Sequence, residues 1–428
     1  MVMRQVHRGS LRAILRSLWI IALAAKNARS RRLRGLDPQR EPPTNLSVSL
    51  SARQEACGRI LLCYLKEPVQ WSGDDERLNA GHPNEWDSWT IADILLELGW
   101  DVDVIDWDDW DFLPTNSYDA VIALDANGAR LTSLMGPNMP TLLLHLTTAA
   151  PDFNDAAEKS RLDALAKRRG ATIRPMRQLA HVDGSEAALA AAQACTLTGN
   201  EWAASTYGSQ LRSKIHPIGV TTVPDASTVQ FTTRENDRRK NDFLWYFGGG
   251  AVHKGLDITL EAFSSLNALT LNVVGDLESE PDFLWEYRRE LFLTRNIHYH
   301  GYLTTHSDER RRVFAESSFV VAPSCSEATS TAVAVCMASG LIPIVTPETG
   351  ISLPQGVGIV INEPTPRGVV DAVTEAAAMP VDQRDAMAAA AAKFGRESFS
   401  RSKYRAELTK FFSAELVGAG KRTEQRSS

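Results

Sequence analysis

The stretch Phe243-Leu-Trp-Tyr-Phe-Gly-Gly-Gly-Ala-Val-His-Lys254-Gly255 decides how this chain is read. An apolar run breaks into three glycines and then a lysine, the pattern of a buried strand, a tight turn and the start of a helix. Phe319-Val-Val-Ala-Pro-Ser-Cys-Ser-Glu327 repeats that plan. It leads into a helix over 331–339 that is apolar on every side, with Gly340 as its stop. Two such junctions offer what a nucleotide diphosphate needs: backbone N–H groups at helix N-termini, glycines that admit close approach, and one fixed cation. The two turns are therefore expected to face one ligand. Gly248, Gly249 and Gly250 give the approach and Lys254 the cation. Glu327 can accept hydrogen bonds from sugar hydroxyls, with Ser330 and Thr331 as N-cap candidates behind it.

Outward from these turns, strands alternate with helices. After Lys254, the residues Leu256, Leu260, Phe263 and Leu266 mark a helix, and strands follow at 270–274, 296–301, 342–345 and 358–361. The Ala-rich span 368–393 and the span 401–412 are helical. Upstream, Arg234-Glu-Asn-Asp-Arg-Arg-Lys240 has no apolar face and separates two domains. Before it, strands are expected at 59–65, 101–105, 118–124, 141–146, 194–198 and 214–218, with a helix at 87–98 ended by Gly99 and an Ala-rich helical region at 155–195. A chain of 428 residues is too long for one ordinary core. The expected fold is α/β, with two Rossmann-like parallel-sheet domains facing a cleft. The division is 1–35 basic amphipathic helix, 36–56 linker, 57–230 N-terminal domain, 231–241 charged linker, 242–395 C-terminal domain, 396–416 C-terminal helix and 417–428 disordered tail.

Charge is uneven. Residues 1–40 hold ten Lys/Arg and one acidic residue, net +9, whereas the rest holds 36 basic and 51 acidic residues, net −15. An acidic body excludes general nucleic-acid binding. Arg4, Arg8, Arg12 and Arg16 recur every four residues opposite Leu11, Ile14, Leu15 and Leu18, a basic amphipathic helix suited to an anionic membrane surface. Its apolar run is too short to span a bilayer. A solvated or partner-binding helix and a targeting peptide remain alternatives. The five cysteines show no metal or CxxC spacing, and they read as buried thiols in a reducing, cytoplasmic compartment. Asp101, Asp103, Asp106, Asp108, Asp109 and Asp111 could in principle hold a divalent metal. Aspartates alternating with Val and Ile are equally the solvated face of one strand, and no metal is expected.

His145 ends an apolar strand, where open α/β sheets place ligands, or else it is a satisfied core histidine. His82 and Asn84, in the loop before the first helix, are acceptor-side candidates. The span 243–412 resembles the donor domain of GT-B glycosyltransferases of the retaining, glycogen-synthase-like and mannosyltransferase-like group. The resemblance rests on Gly248…Lys254-Gly255-Leu-Asp257, Val274-Gly275-Asp276, Asn296-Ile-His-Tyr-His-Gly301, Pro323-Ser-Cys-Ser-Glu327 and Met337-Ala-Ser-Gly340-Leu-Ile-Pro343. It implies that Lys254 binds a donor diphosphate and that Glu327 contacts the donor sugar. It also implies that the backbone at Ser330 and Thr331 approaches the phosphates and that His145 borders the reaction centre. Two positions depart from the pattern. Val335 stands where a ribose-binding glutamate is usual, and Gly249 where an arginine is usual.

The implied activity is transfer of a sugar from a nucleotide sugar to a glycan or lipid-linked acceptor, with retention and no cofactor, in the cytoplasm or on the inner face of a membrane. A catalytically silent binding protein, a sugar-nucleotide epimerase on the same fold and a metal-dependent transferase are the alternatives.

Overall fold

The structure is a computed structural model that describes residues 47–80, 83–124, 126–135, 140–179, 185–222, 241–305 and 307–417. The basic segment 1–35, nearly all of the charged linker and the tail from 418 lie outside the described residues. The described strands form two sheets, whose central strands are apolar enough to be buried on both faces. In the first are β1 (Val48–Leu50), β2 (Gly58–Tyr64), β3 (Trp100–Asp106), β4 (Ala120–Ala123), β5 (Thr141–Leu146), β6 (Ala194–Thr198) and β7 (Ile215–Ile218). Their order is β1-β3-β2-β4-β5-β6-β7. All pairs are parallel except β1 with β3. Strand β1 lies inside the stretch expected to be linker. Three residues are too few to show a period, and pairing with β3, together with Ser49 Oγ donating to Asp103 at 2.7 Å, makes the strand.

The second sheet holds β8 (Asp242–Tyr246), β9 (Thr270–Val274), β10 (Ile297–Gly301), β11 (Phe319–Ala322), β12 (Ile342–Val345) and β13 (Ile359–Val360). Its order is β10-β9-β8-β11-β12-β13, all parallel. Counted from β8 this is 3-2-1-4-5-6, the doubly wound order, and the winding reverses between β8 and β11. The register Phe319↔Phe243 and Val320↔Leu244 sets the carboxyl ends of those two strands side by side. The stacked rings of Phe243 and Phe319, 4.8 Å apart, lock it.

The domains exchange helices. Helix Arg401–Glu415 buries Tyr404, Leu408, Phe411 and Phe412 in the N-terminal core. Helix Pro151–Arg169 goes the other way, and its Leu165, followed by Ala171 and Ile173, joins the C-terminal core. Arg168 pairs with Asp257 at 2.7 Å and Glu261 at 2.9 Å, and Arg169 with Glu290 at 2.9 Å. The expected boundary at 230 lies outside the described residues; the two sheets fall on either side of 223–240, while each core draws on both parts of the chain. An Ala-rich amphipathic pattern shows that a face is buried without showing in which core. The Ala-rich helical span expected over 368–393 forms two helices, Pro366–Ala378 and Val381–Ser398, because Pro380 cannot continue the first.

Two of the clustered aspartates, Asp101 and Asp103, serve the fold. Asp103 is fully buried and accepts from Ser49, Arg59, Asn116 and Tyr118, while Asp101 pairs with Arg59 at 3.1 Å. Among the described residues no group of three or more His, Cys, Asp or Glu is placed to hold a metal, and no helix is long and apolar enough to cross a membrane. Four cysteines are buried as expected, and Cys57 is exposed.

Candidate functional site

The site forms where β8 and β11 end. Beyond β8 the chain turns at Gly250, with φ +83°, and Lys254 N–H closes the turn on Gly250 O at 2.8 Å. Gly255 follows at φ +73°, and a Cβ there would lie 2.3 Å from Pro323 O. Only glycine lets the first turn rest against the second. The turns are then stitched together by Cys325 N–H donating to His253 O at 2.9 Å. Trp245 Nε1 donates to Lys254 O at 3.2 Å and fixes the lysine backbone from below. The lysine ammonium emerges onto the second turn and donates to the Glu327 carboxylate. The two residues chosen from separate stretches of sequence are in contact.

Lys254 is 7% exposed. Burial pushes its ammonium well below the ordinary lysine range, and Arg177 nearby adds to the effect. The Glu327 carboxylate in contact with it favours the charged form, as would any anionic ligand. The glycine turn differs from expectation in one respect. The N–H groups of Gly250 and Ala251 donate to the buried Glu280 carboxylate, at 2.5 and 3.0 Å. Burial holds that carboxyl up to about 7. Those two donors brace the turn, so its anion-binding capacity rests on Lys254. Glu280 carried no sequence signal, since it lies between two short helical turns with no strand before it.

Ser330 caps helix Thr331–Ala338, its hydroxyl accepting from Val333 N–H. Thr331 and Val335 face a cavity of about 290 Å³ shared with Gly248, Gly275, Tyr246 and Pro83. Arg310 also reaches it, 5% exposed and bonded to Thr305 O at 2.8 Å. Val335 gives this cavity an apolar wall in place of a carboxylate. Gly249 leaves open space, with nothing nearer to its Cβ position than Glu280 Oε1 at 3.7 Å.

A larger cavity, about 610 Å³, opens at the carboxyl ends of β2, β4 and β5, the reversal point of the first sheet. Tyr64, Thr147 and Thr148 line it, with the half-exposed indoles of Trp107 and Trp110. Asn84, the acceptor-side candidate, lines this cavity, and its neighbour Pro83 walls the smaller one. His82 lies outside the described residues. His145 joins neither cavity. It is 2% exposed, with Nδ1 bonded to Thr196 Oγ1 at 2.8 Å and Nε2 facing Tyr404 OH at 3.4 Å. Burial pushes its pKa down to about 4. It ties β5 to β6 and to the C-terminal helix. No sequence pattern separates that role from a catalytic one, because Tyr404 lies far along the chain.

Residues 242–378 match the sequence model of the family Glycosyl transferases group 1. No curated protein matches the chain. Among solved structures, a glycosyltransferase from Rickettsia africae aligns over 85% of this chain and 99% of its own, at 14% identity and TM-score 0.55. Sucrose-phosphate synthase from Thermosynechococcus elongatus aligns over 85% and 100%, at 13% identity and TM-score 0.56. The Anabaena protein HepE, in complex with UDP-glucose, aligns over 83% and 100%, at 14% identity and TM-score 0.53. At such identities the likeness is one of fold. Residues 242–378 are thus a glycosyl transferases group 1 domain, held in a chain that has the two-domain fold of GT-B glycosyltransferases.

Proposed function

We propose that the protein is a hexosyltransferase that moves a sugar from a nucleoside diphosphate sugar to a glycan or lipid-linked acceptor, with retention at the anomeric carbon and without a metal. The observation that carries this reading is the meeting of Lys254 and Glu327 at the reversal point of a doubly wound sheet, beside a cavity bounded by Gly248 and Thr331. When the bond from the anomeric carbon to the diphosphate breaks, negative charge grows on the departing phosphate. A buried ammonium, carried on a main chain held by Gly250 and Trp245, stabilises that charge with little reorganisation. Glu327, on the other turn, holds sugar hydroxyls. The cavity at β2, β4 and β5 takes the acceptor, with Asn84 on its wall. That HepE is known with UDP-glucose supports a nucleotide sugar as donor. The net +9 of residues 1–40 would hold the enzyme on the anionic inner face of a membrane. Deleting residues 1–35 should then abolish sedimentation with anionic liposomes, and undiminished sedimentation would refute this.

The test is a panel of nucleotide sugars, read by thermal shift and by donor hydrolysis, on wild type, Lys254→Ala and Glu327→Gln. One donor should stabilise the wild type, and Lys254→Ala should lose roughly 100-fold or more in kcat/KM. Chelator should leave the rate unchanged. The reading fails if no nucleotide sugar stabilises the wild type, or if Lys254→Ala binds the donor equally well. Stabilisation without turnover towards any acceptor or water would instead identify a silent binding protein.

A further inference from the structure

Lys254 is not the only cation at the junction. Arg177 belongs to the loop that follows helix Pro151–Arg169, on the N-terminal side of the chain, yet its side chain lies over the glycine turn of the other domain. A Cβ built on Gly250 would sit 2.9 Å from Arg177 Cγ and 3.2 Å from its Cδ. The glycine at 250 therefore makes room for the stem of an arginine from across the cleft. The loop is held firmly. Glu158 accepts from the N–H groups of Met176 and Arg177, at 3.0 and 3.1 Å. Arg161, one turn along the same helix, donates to Pro323 O at 2.9 Å and fixes the second turn.

Positive charges crowd this junction: the fields of Arg177 and Arg161 both act on His253, and that of Arg177 acts on Lys254. Arg177 is exposed and makes no salt bridge among the described residues, and its field reaches Lys254, His253 and the Glu158 carboxylate. The nearby carboxylates already hold hydrogen-bond partners: Glu158 the loop backbone, Glu280 Gly250 and Ala251, and Glu327 Lys254. Two cations brought together where the turns meet, with the neighbouring carboxylates already hydrogen-bonded, suit a polyanion. An arginine adds paired donors suited to phosphate oxygens.

We propose that Arg177 is the second diphosphate-binding cation, so that the leaving group is gripped by one residue from each domain. This rests on the donor-site reading above and adds to it a residue from the opposite half of the chain. Binding of the diphosphate then links the domains, and the charge on the leaving group is shared between Lys254 and Arg177.

The experiment uses the full chain, with UDP, GDP, ADP and inorganic pyrophosphate as titrants in calorimetry. The variants are Arg177→Lys, Arg177→Ala, Arg177→Glu and Lys254→Ala. Arg177 is exposed, so its variants should keep the wild-type melting temperature. Affinity for the best-bound diphosphate should fall in the order Arg, Lys, Ala, Glu, with Arg177→Ala about 10- to 100-fold weaker than wild type. The salt dependence of binding should shrink in step. A merely structural residue would not give an order set by charge at constant stability. The proposal is overturned if Arg177→Ala binds as wild type while Lys254→Ala does not. If Lys254→Ala also binds as wild type, or no diphosphate binds the wild type, the donor-site reading has failed and the proposal falls with it.

Discussion

Replacing His145 by glutamine separates a structural histidine from a catalytic one. In the fold His145 is buried among Thr196, Tyr404 and the ring of Tyr64, and its pKa is pushed down to about 4 from the usual 6.5. The unfolded chain therefore binds a proton that the folded chain refuses between those values. The stability that neutral His145 contributes is fully present above pH 6.5 and is lost as pH falls through this window to about 4. A shift of about 2.5 units corresponds to roughly 3 kcal/mol. Glutamine is neutral at every pH and can still bond to Thr196. Urea unfolding at steps from pH 7.5 to 4 should show wild type losing about 3 kcal/mol more than His145→Gln across that range. The comparison must be made between the two proteins, because carboxyls with raised pKa values tilt both curves the other way. At pH 7.5, where both side chains are neutral, donor turnover should stay within a few-fold of wild type. Parallel stability curves, or a folded His145→Gln protein that has lost turnover by 100-fold or more, would refute the reasoning.

Three further outcomes follow from the packing. Gly255→Ala places a methyl 2.3 Å from Pro323 O at a left-handed position, so it should cost at least about 3 kcal/mol in stability and abolish donor binding together; an unchanged melting temperature would mean the turns do not touch. Glu280, held up to about 7 from 4.5, favours the folded state fully below pH 4.5, and this contribution fades as pH rises to 7. Its loss is roughly 3 kcal/mol, and Glu280→Gln should flatten that slope in denaturant titrations. Arg168→Ala leaves the fully buried Asp257 without its partner across the domains, which should lower stability by about 3 kcal/mol; Arg168→Ala paired with Asp257→Asn should recover part of it in a double-mutant cycle.

The sequence by itself determined the alternation of strands and helices and pointed to the two halves of the candidate site. Uninterrupted apolar runs at 243–247 and 319–322, too short for helices and flanked by Gly248 and Pro323, read as buried strands. The glycines, lysine and glutamate after them have to lie at strand ends, because local backbone sterics and burial fix both features. The tertiary structure alone decided what those residues meet. Strand order puts β8 beside β11 and so joins Lys254 to Glu327. It gives the glycine-turn N–H groups to Glu280 and encloses His145 with Tyr404. It also carries helix Pro151–Arg169 into the other core, which brings Arg177 over Gly250. Such pairings join residues tens to hundreds of positions apart. They depend on which face of each element meets which core, a property that no periodicity within a single element records.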